Sequence, residues 1–312
     1  MKSKSIKLML LLAKVAILAA FLYWVIRTQD LKMVAMLLGN ISVKDALLFM
    51  SIDALAVFLS SVNLFILLRA YQIRISFQRL LYYDMLATAG FYYTPGGLGG
   101  FGVLTYFLVN EGVGKGSTAA VLLVDRLIGG LVSLLFIMIL LLVSPIQWQE
   151  FGWRDEMLLV LLLLAGLVGT AIVISGRLRE VIVKLWMKLV LLGSAKKLLL
   201  ANLGITALIF LGSGIKLLIC VLAIGVSVKD WQVIVFSYGV FPLLSYLPIT
   251  FGGFGLTESA SVVLWGKAGL LSEQTIAAMI VVRFLTMCST LGLIVVAHAV
   301  RKFVVPKWGN KP

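Results

Sequence analysis

Two arginines, Arg126 and Arg283, each lie within a long apolar run, and each follows a string rich in proline and glycine. The strings are Tyr92-Tyr93-Thr94-Pro95-Gly96-Gly97-Leu98-Gly99-Gly100 and Tyr246-Leu247-Pro248-Ile249-Thr250-Phe251-Gly252-Gly253-Phe254-Gly255. A guanidinium group binds phosphate or carboxylate through two parallel hydrogen bonds. Glycine lets a ligand approach the backbone closely. The combination predicts a binding site for an anionic group.

The composition places this site inside a membrane protein. The 312-residue chain is 62% hydrophobic and only 13% charged, far from the average of soluble domains. Apolar runs long enough to cross a bilayer recur along it, so we expect a single transmembrane domain over residues 1–312. The net charge of +14 comes from basic loops, which orient membrane proteins, and it does not indicate nucleic-acid binding.

Hydropathy predicts an all-α polytopic membrane protein with about six full spans and two re-entrant helical hairpins. We expect the full spans at 8–27, 45–69, 117–144, 157–175, 198–225 and 274–300, and the hairpins at 77–110 and 231–267. Proline and glycine interrupt both hairpin stretches, and proline breaks a helix. Irregular backbone at membrane depth must be buried in protein or line a wet cavity.

The two halves repeat one pattern. Gly96 to Gly252 and Gly99 to Gly255 are both offsets of 156 residues, and Arg126 to Arg283 is 157. Residues 45–144 and 201–300 therefore each contain a span, a broken hairpin and a span. The single span at 157–175 between them predicts that the second repeat is inverted. Such repeats place a substrate site near the bilayer midplane.

The predicted substrate-binding residues come from both halves. They are Arg126, Arg283, Thr94, Pro95, Gly96, Gly97, Gly99, Pro248, Thr250, Gly252, Gly253, Gly255 and Glu258. Each arginine lies about 14 Å into its span at helical rise, near the centre of the bilayer. The half-helices that follow the strings, at about Leu98 and Phe254, would turn free amides and a positive dipole end towards an anion. A structural ion pair is the alternative for the arginines, and close helix packing is the alternative for the glycines.

Other charged residues also lie within the predicted membrane segments. Glu258 follows the second string, where it can cap the helix or form a salt bridge with Arg283. Asp53, Asp84 and Asp125 are candidates for ion coupling, and Asp53 and Asp84 can equally pair with nearby basic groups. Lys216 can extend towards the outer interface.

The sequence offers little support for an enzyme. Its single histidine, His298, ends the last predicted span. The chain has no cluster of residues at metal-ligand spacing and no nucleotide-binding glycine loop beside a strand pattern. We therefore expect no catalytic residue, no metal and no cofactor.

The motifs resemble those of a known family. Residues 95–100, PGGLGG, followed by the run Leu122-Leu123-Val124-Asp125-Arg126-Leu127, are similar to the lysylphosphatidylglycerol synthase transmembrane-region family of flippase-like membrane proteins. So is the stretch from Leu247 to Glu258, with Ala277-Ala278 and Arg283-Phe284-Leu285 downstream. The resemblance implies movement of an anionic or aminoacylated phospholipid, or of a lipid-linked head group, between leaflets. Members with synthase activity carry an additional soluble domain, so synthesis is not implied here.

Three functions remain open from the sequence. The first is a lipid flippase whose partners are membrane lipids with an anionic or lipid-linked phosphate head group. The second is a secondary transporter of a small anionic solute, which needs the same arginines in an enclosed cavity. The third is a membrane scaffold without transport, in which both arginines can be replaced.

The loop charges lead to a testable topology. Segments 69–79 and 176–197 are basic, whereas 145–156 is acidic and aromatic, so the positive-inside rule predicts cytoplasmic termini in the cell (inner) membrane. Cysteines introduced at Gln78 and Gln149 should react with an impermeant thiol reagent from opposite sides. The parent chain, whose two cysteines lie in apolar runs, is the control. Labelling of both positions from one side would refute the topology.

Overall fold

The described part of the chain is helical. The computed structural model describes residues 32, 36–37, 39–94, 97–143, 195–246 and 253–304. Within these residues, helices and turns occur without any strand, which confirms the predicted all-α class. The predicted spans 8–27 and 157–175 and the loop 145–156 lie outside them.

Nine helices follow one another in the described ranges. They are α1 (Val43–Ala70), α2 (Phe77–Tyr93), α3 (Leu98–Asn110), α4 (Lys115–Val143), α5 (Ala195–Ala223), α6 (Trp231–Ser237), α7 (Val240–Tyr246), α8 (Leu256–Lys267) and α9 (Ser272–Val304). The chain forms two compact units, residues 1–144 with 202–312, and residues 145–201. Of the second unit the structure describes only 195–201, the first turns of α5. Everything below concerns the first unit.

Four of the described helices, α1, α4, α5 and α9, are long and apolar enough to cross a bilayer. They match the predicted spans 45–69, 117–144, 198–225 and 274–300, and they confirm an integral membrane protein. Two short helices separate α1 from α4, and three separate α5 from α9. The re-entrant geometry and the inversion of the second repeat stay predictions.

Both proline and glycine strings interrupt helices where the sequence predicts. Helix α2 ends at Tyr93 and α3 begins at Leu98, and α7 ends at Tyr246 before α8 begins at Leu256, two residues after the predicted start. Gly97 and Gly255 precede the new helices with φ of 69° and 85°, a conformation that costs little only for glycine. Separate helices therefore lie before and after each string.

Long helices of each half pack against short helices of the other half. Helix α9 contacts α1 and α2, whereas α4 contacts α6 and α7. The break between α6 and α7, which the sequence analysis does not predict, lies against α4. A β-carbon at Gly239 in this break would come within 2.7 Å of Phe136 Cβ and 2.9 Å of the Ser133 carbonyl oxygen. Only glycine allows that approach.

The first hairpin also closes on a glycine. A β-carbon added to Gly90 of α2 would lie 2.8 Å from Gly100 Cα of α3, and closer still to the Gly100 amide nitrogen. The added β-carbon would clash with backbone atoms, which cannot move aside as a flexible side chain can. The two helices would therefore have to separate. This contact fixes the distance between the two arms of the hairpin.

We therefore expect Gly90→Ala to lower the free energy of unfolding by about 1–3 kcal/mol, the usual cost of overpacking. Gly102→Ala in α3 is the matched control, because among the described residues nothing lies within 4 Å of its added β-carbon. The control should be neutral, or more stable by up to about 1 kcal/mol. Thermal unfolding in detergent measures both, and equal stability of the two variants would contradict the close contact.

Candidate functional site

Both arginines line a single cavity of about 560 Å³. This volume falls within the range of about 300–1,000 Å³ that is typical of small-ligand pockets. The charged residues along its wall are Asp53, Asp84, Asp125, Arg126, Lys216 and Arg283. The sequence analysis singles out all six, and the fold brings them to one space.

Aromatic rings hold Arg126. Its guanidinium carbon lies 4.9 Å from the centre of the Phe91 ring and 4.3 Å from that of Phe101. Gly97 is beside it, since an added β-carbon would be 3.5 Å from Nη2 of Arg126. Aromatic faces stabilise a guanidinium plane, while the hydrogen-bond donors of that group point outwards in the plane. The arrangement is suited to a planar, two-point contact with an anion.

A carboxylate and a hydroxyl hold Arg283 instead. Its Nε donates to Glu258 Oε1 at 2.7 Å, and its Nη2 donates to Thr257 Oγ1 at 2.7 Å. Its guanidinium carbon also lies 5.3 Å from the centre of the Phe254 ring. The side chain of Glu258 is 6% exposed, and that of Arg283 is 23% exposed. The arginine is thus the more accessible partner of the pair.

Glu258 has both of the roles that the sequence analysis leaves open. Besides the salt bridge, its Oε2 accepts a hydrogen bond of 2.6 Å from the backbone amide of Gly255. In the first string, Thr94 Oγ1 accepts from the Gly99 amide at 2.7 Å and donates to the Gly90 carbonyl oxygen. The prediction of free amides is therefore wrong for Gly99 and Gly255, because amides at a buried helix start take the nearest side-chain acceptor.

The acidic residues of the cavity have different partners. Lys216 Nζ donates to Asp53 Oδ1 at 2.5 Å. Of the two roles that the sequence leaves open for Asp53, it therefore has the one in which it pairs with a basic group. The prediction that Lys216 extends to the interface is wrong, since its side chain is only 7% exposed. Asp84 Oδ2 accepts from Ser61 Oγ at 2.9 Å, and Asp84 also interacts electrostatically with Asp125.

Several predicted site residues lie outside the described part of the chain. They are Pro95, Gly96, Pro248, Thr250 and Gly252. Gly253 is described and has a φ of 76°, and an added β-carbon would be 2.6 Å from Ser245 Oγ. The sequence analysis misses Phe91 and Phe101, although they stand directly beside the first string. Aromatic residues next to a lone membrane arginine are the signal that could have found them.

A comparison with protein families adds independent information. The sequence profile described as "Lysylphosphatidylglycerol synthase TM region" matches residues 11–293, which is most of the chain. A search of curated proteins found no match. The profile supports a membrane protein of a lipid-related family.

The double role of Glu258 is testable. Glu258→Ala removes the partner of Arg283 and the acceptor of the Gly255 amide, so it should lower the free energy of unfolding by about 3 kcal/mol, as when one partner of a buried pair is lost. The matched control is Glu273→Ala, which removes an acid from the first turn of α9, outside the cavity. Its cost should stay below about 1 kcal/mol. Chemical denaturation in detergent measures the stability of both variants. Equal losses of unfolding free energy would mean that Glu258 acts only through the helix dipole.

Proposed function

Since the chain belongs to the lysylphosphatidylglycerol synthase transmembrane-region family, we propose that it moves the phosphate-bearing head group of a membrane lipid between leaflets. In this proposal the head group binds in the cavity, and Arg126 and Arg283 contact its phosphate. The acyl chains stay in the bilayer. The membrane is the cell (inner) membrane, with both termini cytoplasmic.

One observation carries the proposal: arginines from the two halves of the chain line the same cavity. A charge at membrane depth is expensive and marks a substrate path by default. Two guanidinium groups on one cavity wall are suited to a phosphate, because arginine offers it a two-point contact. The cavity volume suits a head group and is too small for a whole phospholipid with its chains.

The partners of the two arginines suggest how the site stays stable without cargo. Arg283 rests against Glu258, and a phosphate that binds Arg283 has to compete with that carboxylate. Arg126 rests against ring faces, which a phosphate at the guanidinium edge does not displace. When a cargo phosphate takes the place of Glu258, Arg283 keeps a negative partner beside it during binding. Asp84 and Asp125, on the same cavity, are the remaining candidates for coupled ions.

The test replaces each arginine by lysine and by alanine. Lysine keeps the charge but not the two-point geometry, so Arg126→Lys and Arg283→Lys should fold and lose about tenfold or more of the transport rate, the loss expected for one charged hydrogen bond. Purified protein is reconstituted into vesicles that contain phosphatidylglycerol with a short fluorescent acyl chain. Back-extraction of the outer leaflet by albumin measures transport.

The matched control is Arg69→Lys. Arg69 also lies over an aromatic ring, with its guanidinium carbon 4.9 Å from the centre of Phe65, but it does not line the cavity, and its lysine variant should transport normally. A fluorescent glycosylceramide, which has no phosphate, should not be moved by the parent chain. Uptake of free inorganic phosphate or glycerol phosphate in place of lipid would favour a transporter of small anions. Normal transport by both alanine variants would exclude the arginines from the site.

A further inference from the structure

The buried pair of Lys216 and Asp53 is the feature of the cavity that the proposed function leaves unused. Lys216 lies on α5 and Asp53 on α1, and the two are 163 residues apart in the sequence. Their side chains are 7% and 9% exposed, and both line the same cavity as the arginines. A buried ion pair is seldom more stabilising than apolar side chains of the same size. Its presence beside a cavity therefore points to a use other than stability.

The pair has unused hydrogen-bonding capacity. Within the described residues, Asp53 Oδ2 is buried and has no hydrogen-bond partner. The ammonium group of Lys216 has three donors, one of which reaches Asp53 Oδ1, and Nζ lies 4.7 Å from the centre of the Phe49 ring. In an ion pair that serves only stability, the remaining hydrogen-bonding positions of both side chains would also have partners. This one can accept a further anion at Lys216.

Titratable groups of two other described segments interact electrostatically with the pair. Tyr92 of α2 interacts electrostatically with Lys216, Asp53 and Arg283, which connects the pair to the proposed phosphate site. Lys216 also interacts with Tyr238, in the turn between α6 and α7.

On the pair's own helices, Cys220 is a further group that interacts electrostatically with both Lys216 and Asp53. Tyrosine and cysteine ordinarily ionise well above neutral pH. Asp53 is therefore the group of this set that can exchange a proton as Lys216 changes partner.

We propose that Lys216 is a third cation for the phosphate of the cargo, and that Asp53 is its exchangeable counter-ion, which takes up one proton when Lys216 turns to the phosphate. This inference rests on the proposed function. A carboxylate left buried without its cation is far too costly to stay charged. Protonation removes that cost, and water on the open side of the cavity supplies the proton.

The cycle balances in charge and in protons. The Asp53 carboxylate gains one proton, Lys216 keeps its ammonium charge, and its donor moves from a carboxylate oxygen to a phosphate oxygen. Glu258 takes no proton when Arg283 contacts the phosphate, because the Gly255 amide and the Thr257 hydroxyl still donate to its Oε2. On the opposite side of the membrane the lipid leaves, the proton returns to water and the ion pair forms again. One proton crosses with each singly charged phosphodiester. Transport is then driven by a pH difference and is indifferent to membrane potential.

The experiment measures how a pH difference distributes fluorescent phosphatidylglycerol between the two leaflets of reconstituted vesicles. With potassium and valinomycin holding the membrane potential at zero, the parent chain should shift the steady-state leaflet ratio about tenfold per pH unit, as one proton per lipid requires. An imposed potential without a pH difference should leave the ratio unchanged. Asp53→Asn should abolish the shift.

Two further variants keep the result decisive. The double variant Asp53→Asn/Lys216→Gln carries a neutral pair that folds even if Asp53→Asn alone does not, and it should also show no shift. Glu111→Gln alters the ion pair of Arg79 and Glu111, whose atoms are 3.0 Å apart outside the cavity, and it should keep the full shift.

The outcomes separate the two proposals. Lipid movement by the parent chain without any shift overturns the proton coupling and leaves the proposed function standing. Proton coupling is also overturned if Asp53→Asn or the double variant keeps the pH-dependent shift in leaflet ratio. A leaflet ratio that follows the membrane potential overturns it too. If the parent chain moves no phosphatidylglycerol, both proposals fall.

Discussion

The cost of holding charge in apolar surroundings is the constraint on which the rest of this structure depends. A membrane arginine or lysine is tolerated only where something meets it, and the cavity meets each cation differently. Arg126 lies against two aromatic rings, Lys216 against Asp53, and Arg283 against Glu258. Among the described residues, three acidic and three basic residues line the wall, and Glu258 adds a carboxylate beside Arg283, so the site has no excess positive charge without a ligand. An anion that binds Arg283 or Lys216 must therefore take the place of an internal carboxylate.

The glycines serve this arrangement by fixing distances between backbones. Because Gly90 lets α2 and α3 approach at Gly100, Phe91 and Phe101 meet edge to face, with ring centres 5.2 Å apart. Arg126 contacts both rings. In the second half, Gly239 lets the chain between α6 and α7 press against α4. A side chain at either glycine would widen the packing and move the walls of the cavity.

The sequence predicts the parts of this structure that follow from local chemistry. Hydropathy is enough for α1, α4, α5 and α9, and Pro95 and Gly97 are enough to predict the break before α3. The rings around Arg126, the partner of Lys216 and the division between α6 and α7 are not predicted. Each of these features depends on which surfaces of helices far apart in sequence pack together. The periodicity of a single helix does not determine that packing. The Gly99 and Gly255 amides are predicted incorrectly for a related reason, since Thr94 and Glu258 reach back to them across the turn.

Both halves place short helices between two long ones, but their chemistry differs, and this difference bears on the proposed transport. The position that Glu258 occupies in the second half belongs to Gly102 in the first, at the same offset of 156. Glu258 beside Arg283 therefore has no counterpart at the matching position of the first half, where Asp125 is an acid in electrostatic contact with Arg126. On the proposed function, binding at Arg283 is the step at which the phosphate takes the place of the Glu258 carboxylate, whereas the ring contacts of Arg126 can stay in place.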